Sequence, residues 1–145
     1  MKSNLKLSVV VIVLLSMLSL EAKTIAKIPE ASGITYVSKS NSLFVVNDEG
    51  TIYELKKNGK VLRKTYLGQY DLEGITYDKT NDKLIVAVEG DESILVLNRE
   101  NLSFEKEIKI KRKYKKLKLL KKSKKAGIEA IAMDENGDIY VSNQS

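Results

Sequence analysis

The chain has 145 residues, 25 of them Lys or Arg against 19 Asp or Glu, for a net charge of +6. That length fits one ordinary domain. It contains no Cys and no His, which excludes disulfides, thiolate and Ser–His–Asp nucleophiles, and zinc sites built on imidazole or thiolate; a metal site must use oxygen ligands, the chemistry of Ca²⁺ or Mg²⁺.

The N-terminus reads as a targeting segment. Lys2 and Lys6 precede a 14-residue, largely apolar run from Leu7 to Leu20, and Ala22 offers a small residue before a cut at Lys23. Positive charge, a short greasy stretch and a small residue in that order are the pattern of a secretory signal. The run is shorter than the ~20 residues of a bilayer-spanning helix. Residues 1–22 are therefore expected to be a signal peptide or, if uncleaved, an inner-membrane anchor, and the protein to be periplasmic or otherwise exported.

From Ser32 onward the chain repeats itself. SGITYVSKSNSLFVVND and EGITYDKTNDKLIVAVE share Gly33/Gly74, Ile34/Ile75, Thr35/Thr76, Tyr36/Tyr77, Leu43/Leu84 and Val45/Val86, 41 residues apart. A third copy, EAIAMDENGDIYVSNQ, starts at Glu129. A period near 40 belongs to propeller blades or paired-helix repeats. The β-branched and aromatic runs GITY, LFVV and LIVAV, separated by the turn sequences SKSN, KTND and DENG, select strands. The first repeat reads as strands at Gly33–Val37, Ser42–Asn47, Thr51–Lys56 and Lys60–Leu67, with a tight turn at Asn58-Gly59. The second reads as Gly74–Tyr77, Lys83–Val88, Ser93–Asn98 and Leu102–Ile110. Four antiparallel strands per ~40 residues make one blade of a β-propeller.

These motifs, SGITY…LFVVNDEGTIYEL, EGITYD…LIVAVEGDESILVL and GIEAIAMDENGDIYVSNQ, resemble the SdiA-regulated (YjiK-type) family of exported bacterial β-propellers. The resemblance runs from about Ile28 to Ser145. It implies a propeller fold and a periplasmic or membrane-associated location, and it implies no established reaction.

The expected architecture is all-β: a partial propeller over residues 23–145, with blades at about 32–67, 73–110 and 129–145. A ring needs roughly 4–8 blades, so two and a half blades suggest a truncated product or one part of an assembly completed by further blades or by self-association. Lys23–Ile28 (KTIAKI) reads as a strand that would complete a blade elsewhere in such a ring.

Two features carry candidate chemistry. Glu73 and Glu129 occupy equivalent positions at the start of a blade, and Asn47 and Asn143 are equivalent at the end of a second strand. Carboxylates and amide carbonyls converging there form an oxygen-rich set suited to Ca²⁺. Propeller lactonases look similar in their E-G-x start, which makes a calcium-assisted hydrolase the alternative to a binding or scaffolding role. The acidic turns at Asp48–Gly50, Glu89–Glu92 and Asp134–Asp138 lack the spacing of a calcium loop and read as solvated. The second feature is the basic connector 109–125, KIKRKYKKLKLLKKSKK. It holds 11 of the 25 basic residues, leaving 14 against 19 acidic ones elsewhere, a net of −5. Glu129 follows Glu73 by 56 residues rather than 41, so the connector is an insertion between blades. Lys111, Arg112, Lys113, Lys115 and Lys116 are its candidates for contact with an anionic membrane surface or acidic glycan. An exported protein has little access to nucleic acid, which is not expected as a partner.

Overall fold

A computed structural model describes residues 22–111, 113–114, 117–118 and 127–143. Two four-stranded antiparallel sheets follow one another along the chain. The first comprises β1 (Ala31–Val37), β2 (Ser42–Asn47), β3 (Thr51–Lys56) and β4 (Val61–Tyr66), in that spatial order. The second comprises β5 (Asp71–Asp78), β6 (Lys83–Glu89), β7 (Ser93–Asn98) and β8 (Phe104–Lys109), again in order. Two short strands, β9 (Lys113–Tyr114) and β10 (Leu117–Lys118), pair with each other inside the basic connector. Strands β11 (Ile128–Met133) and β12 (Ile139–Asn143) form a two-stranded third sheet. The expected signal segment lies outside the described residues, and among the described residues no helix is long and apolar enough to cross a membrane.

The repeat extends to register and turns. Gly33 pairs with Val46, Gly74 with Ala87 and Ala130 with Ser142. Asn41 and Asp82, 41 residues apart, both take positive φ in the turn after the first strand, and Gly137 does so in the third copy. Short polar residues and glycine tolerate that left-handed conformation. At the Asn58-Gly59 turn only Gly59 has positive φ. Its N–H donates to Lys56 O, and Lys56 N–H donates to Lys60 O. This is a type I turn closed by a left-handed glycine, a common solution for a three-residue hairpin loop.

The second blade is apolar on both faces because it is sandwiched between the other two. Phe44, Val46 and Ile52 of the first blade pack with Leu72, Ile75, Leu84, Val86 and Leu95 of the second. On its other face the second blade presents Ile85, Ala87, Ile94 and Val96 to Ile128 and Ile131 of the third. Alternation along β6 therefore sends successive side chains to different neighbouring blades rather than to core and water. The outer strands β4 and β8 are mostly exposed, as expected of wedges that meet at their first strands. There the backbones nearly touch: a Cβ on Gly33 would stand 2.9 Å from Gly74 Cα, and one on Gly74 would stand 2.9 Å from Ile131 N.

Polar bridges reinforce the first junction. Ser32 Oγ donates to Leu72 O. Arg63 Nε donates to the buried carboxylate of Glu54 at 2.6 Å, while its other nitrogens reach the carbonyls of Arg99 and Glu100 in the next blade. Asp82 accepts from Arg99 at 2.8 and 2.9 Å, from Lys39 at 2.6 Å and from Tyr77 at 2.9 Å. These donors hold its carboxyl well below the usual carboxylate range, led by the Arg99 bond and then the Lys39 bond.

One expected element does not form. Residues 22–28 carry no strand. The segment runs past the β3–β4 hairpin, where a Cβ on Gly59 would collide with Ile25 O, and among the described residues no strand lies beside it to complete a ladder. The expected eighth strand also starts later, at Phe104, because Leu102 turns with positive φ into the buried core.

The close approach of the first strands makes a defined prediction. Gly74→Ala should destabilise the chain by about 1–3 kcal/mol, the usual cost of overpacking, because the added methyl meets backbone rather than a side chain able to swing away. Chemical denaturation of both proteins checks this; equal midpoints would show that the blades can separate freely there.

A candidate acidic site at the entry end of the inner strands

The first strand of every blade carries a β-bulge at the same place. The ladder shifts between Ala31 and Gly33, between Leu72 and Gly74, and between Ile128 and Ala130. The extra residues are Ser32, Glu73 and Glu129. A bulge re-aims the side chain it carries, so the sequence-equivalent residues are also structurally equivalent, and two of the three are glutamates.

Around Glu73 the fold gathers carboxylates from all three blades. Oxygen atoms of Asp48, just past β2, and of Asp71 and Glu73, on β5, lie within 4.8 Å of one another. Glu89 at the end of β6 is close enough to Glu129 and Asp71 to feel the charge of both. The chain cannot leave all of these charged at no cost. Burial pushes the Glu73 carboxyl from its ordinary 4.5 up to about 7, and the negative charges of Asp48, Asp71, Glu129 and Glu89 push the same way. Glu89 is also raised, by burial first and then by Glu129 and Asp71.

The expected set Glu73, Glu129, Asn47 and Asn143 is thus only partly gathered. Glu73 and Glu129 do face one another's fields. Asn47 is fully buried and committed to local structure: its Oδ1 accepts from Thr51 N at 2.8 Å and its Nδ2 donates to Pro29 O at 3.2 Å. Asn143 sits half-buried at the end of β12, in register with Ile128. The carboxylates at ligand distance from Glu73 are instead Asp48 and Asp71. Asp48, read from the sequence as a solvated turn residue, is indeed exposed in the turn after β2, and Glu89 is half-buried at the end of β6. The available signal was their equivalence, since Asp48 and Glu89 stand 41 residues apart at the exit of the second strand of each blade. Of the basic-tract candidates, Lys111 is exposed and the Lys113 backbone belongs to β9; Arg112, Lys115 and Lys116 lie outside the described residues.

Four-stranded antiparallel sheets stacked face to face, meeting at their first strands and splayed at their fourth, define a β-propeller architecture. A family model described as SdiA-regulated matches residues 15–144, and the chain belongs to the SdiA-regulated family. No curated protein matches it. Among solved structures, the chain is similar to Kuenenia stuttgartiensis hydrazine synthase, with 17% identity and a TM-score of 0.58 over 86% of this chain and 32% of that one. It is also similar to the β-propeller domain of Cps50 (Swd1) from Myceliophteria thermophila, with 11% identity and a TM-score of 0.53 over 78% and 36%. A protein of unknown function from Bacteroides caccae gives 16% identity and a TM-score of 0.50 over 77% and 37%. The chain spans about a third of the length of each of these structures, and identities this low speak to the fold alone.

The raised Glu73 gives stability a definite pH dependence. A carboxyl that holds its proton more tightly folded than unfolded binds excess protons in the native state between the two values, so stability falls as pH rises. For Glu73 that window runs from 4.5 to about 7, and Glu89 adds in the same direction. The melting temperature should therefore decline from pH 4.5 to 7. Glu73→Gln should flatten this decline and be more stable than the parent at pH 8. A parent chain whose stability is flat across that window would contradict the raised Glu73 carboxyl.

Proposed function

We propose that this protein is a binding or scaffolding module of the cell envelope, and that the acidic end of its inner strands holds a hard cation, Ca²⁺ in the first instance. The observation that carries this reading is the convergence of Asp48, Asp71, Glu73, Glu89 and Glu129 from three blades on one end of the fold. Hard divalent cations take carboxylate oxygens, and a bound cation reverses the repulsion that raises Glu73. Export is supported by the lysine-flanked apolar run at Leu7–Leu20, and the basic connector suits a protein held beside an anionic membrane or glycan surface.

A calcium-assisted hydrolase is the second reading. It is favoured by the Glu73 carboxyl at about 7, since an acid–base group works best with its pKa near the operating pH, and a nearby cation polarises an ester or phosphate oxygen.

Calcium binding is read from thermal unfolding of the full chain. A ligand that binds only the folded state at tenfold excess over its Kd contributes about 1.4 kcal/mol, so Ca²⁺ should raise the melting temperature, and Glu73→Gln should lose most of that rise. No shift in excess Ca²⁺ would reject the cation site. Chromogenic lactones and phosphate esters separate the two readings: Ca²⁺-dependent turnover abolished by Glu73→Gln would make the protein an enzyme, and a background rate would leave it a binding module. For the basic connector, attachment to anionic vesicles should weaken with salt and fall on deletion of residues 109–125; binding that survives the deletion would remove the connector from the account.

A further inference from the structure

The first blade lacks, at one of its turns, a carboxylate that the second blade has. Asn41 and Asp82 stand 41 residues apart, both at positive φ. Each accepts from the tyrosine five residues before it, Tyr36 OH donating to Asn41 Oδ1 and Tyr77 OH to Asp82 Oδ1, both at 2.9 Å. Lys57 and Arg99 are equivalent too, each the first residue past the third strand of its blade. In the second blade these two positions form an ion pair, Arg99 donating to Asp82 at 2.8 and 2.9 Å. In the first blade asparagine replaces the acid. Lys57 Nζ lies 5.0 Å from the centre of the Tyr36 ring, and among the described residues neither it nor Lys56 makes an ion pair.

Asn41 and Lys57 border a cleft of about 440 Å³, together with Ser40, Ser42, Lys56 and Asn58. These residues belong to the β1–β2 and β3–β4 turns and the strand positions beside them, so the cleft sits at the opposite end of β1 from the acidic site. The amide oxygens there are already engaged. Asn41 Oδ1 takes the Tyr36 hydroxyl, and Asn58 Oδ1 takes the Lys60 N–H at 3.1 Å, which leaves both amide nitrogens to donate elsewhere. The Ser40 and Ser42 hydroxyls are 2.6 Å apart, and Ser42 donates to the buried Glu54, whose charge Arg63 neutralises at 2.6 Å. Two ammonium groups and two amide nitrogens remain around one space. We propose that this cleft is a binding site for a phosphate group, which supplies the negative charge that Asp82 supplies in the second blade. Charge-assisted bonds from nitrogen to phosphate are strong, and lysine holds phosphate as a point charge. Four nitrogen donors suit the three strong acceptor oxygens of a phosphate ester better than the two oxygens of a carboxylate. The site shares no residue with the acidic cluster and does not rest on the cation reading.

The test titrates inorganic phosphate into the full chain, against chloride at equal ionic strength, with the melting temperature as readout. A ligand bound only by the folded state raises it. The expected result is a saturable rise with phosphate. Lys57→Gln should move half-saturation to about tenfold higher phosphate, the usual worth of one charge-assisted hydrogen bond. Asn41→Asp is the decisive variant. It rebuilds in the first blade the acid of the second, at a backbone conformation that Asp82 shows aspartate to accept, and its carboxylate takes Lys57 as partner. That chain should fold, be no less stable than the parent, and no longer respond to phosphate. The basic connector 109–125 is untouched in both variants, so a response that persists in Asn41→Asp belongs to the connector and overturns the proposal. An unaltered response in Lys57→Gln overturns it equally, as does a parent chain that shows no rise beyond chloride. Glycerol phosphate separates the sources of the group. A rise at least as large as with inorganic phosphate means that the cleft takes an ester, and a smaller one that it takes the free ion; either upholds the site.

Discussion

Everything in this molecule depends on how closely two first strands can approach. With glycine at 33 and 74 the backbones of neighbouring blades nearly touch, and no side chain intervenes. The inner ends of the blades are thereby pinned together while the outer strands splay, so a flat stack becomes a wedge. The wedge in turn dictates burial: β6 and β7 of the middle blade are enclosed on both faces, whereas β4 and β8 lie open. In the third blade the equivalent residue is Ala130 rather than glycine, and its Cα sits 3.2 Å from where a Gly74 Cβ would be.

The same stretch of backbone produces the acidic site. A bulge one residue before each glycine supplies an unpaired position on the first strand, and the chain uses it in two ways. In the first blade Ser32 spends its hydroxyl on the carbonyl of Leu72, closing the junction. In the second and third blades a glutamate stands there, and the wedge brings it towards carboxylates of the adjoining blades. The repulsion is held in place by packing contributed elsewhere, which is how strained polar clusters persist at functional positions. Its raised Glu73 and the strongly lowered Asp82 differ for a plain reason: Asp82 is ringed by donors from Arg99, Lys39 and Tyr77, and Glu73 by other acids.

The sequence made the blade pattern legible because its evidence was local and repeated. The phase of Gly33 and Gly74, the strand composition and the Asn58-Gly59 turn all report on backbone within a few residues. The site was half legible. Glu73 and Glu129 stood out by equivalence, but Asp48 and Glu89 sat in sequences rich in Asp, Glu and Gly that make good solvated turns, and nothing within a single blade shows that the end of one β2 meets the start of the next blade's first strand. Asn47 misled for the opposite reason. Its amide seemed available, yet a buried amide at the end of a strand is drawn to the nearest backbone groups, here Thr51 and Pro29. Lys23–Ile28 has strand composition without a neighbour to pair with, and composition alone does not make a ladder.

The reach of Arg63 across the first junction has a consequence for how the protein comes apart. Its guanidinium joins the buried Glu54 of one blade to the Arg99 and Glu100 carbonyls of the next, so separating the blades costs Arg63 its carbonyl acceptors while its ion pair with Glu54 stays behind. The first two blades should behave as one cooperative unit. The third, described here by two strands, lacks an equivalent arginine staple among the described residues, so in a quasi-one-dimensional array it is held less firmly to the second. Amide exchange would then run as a gradient along the chain, fastest at β12 and slowest in β6, the strand with a blade pressed against each of its faces.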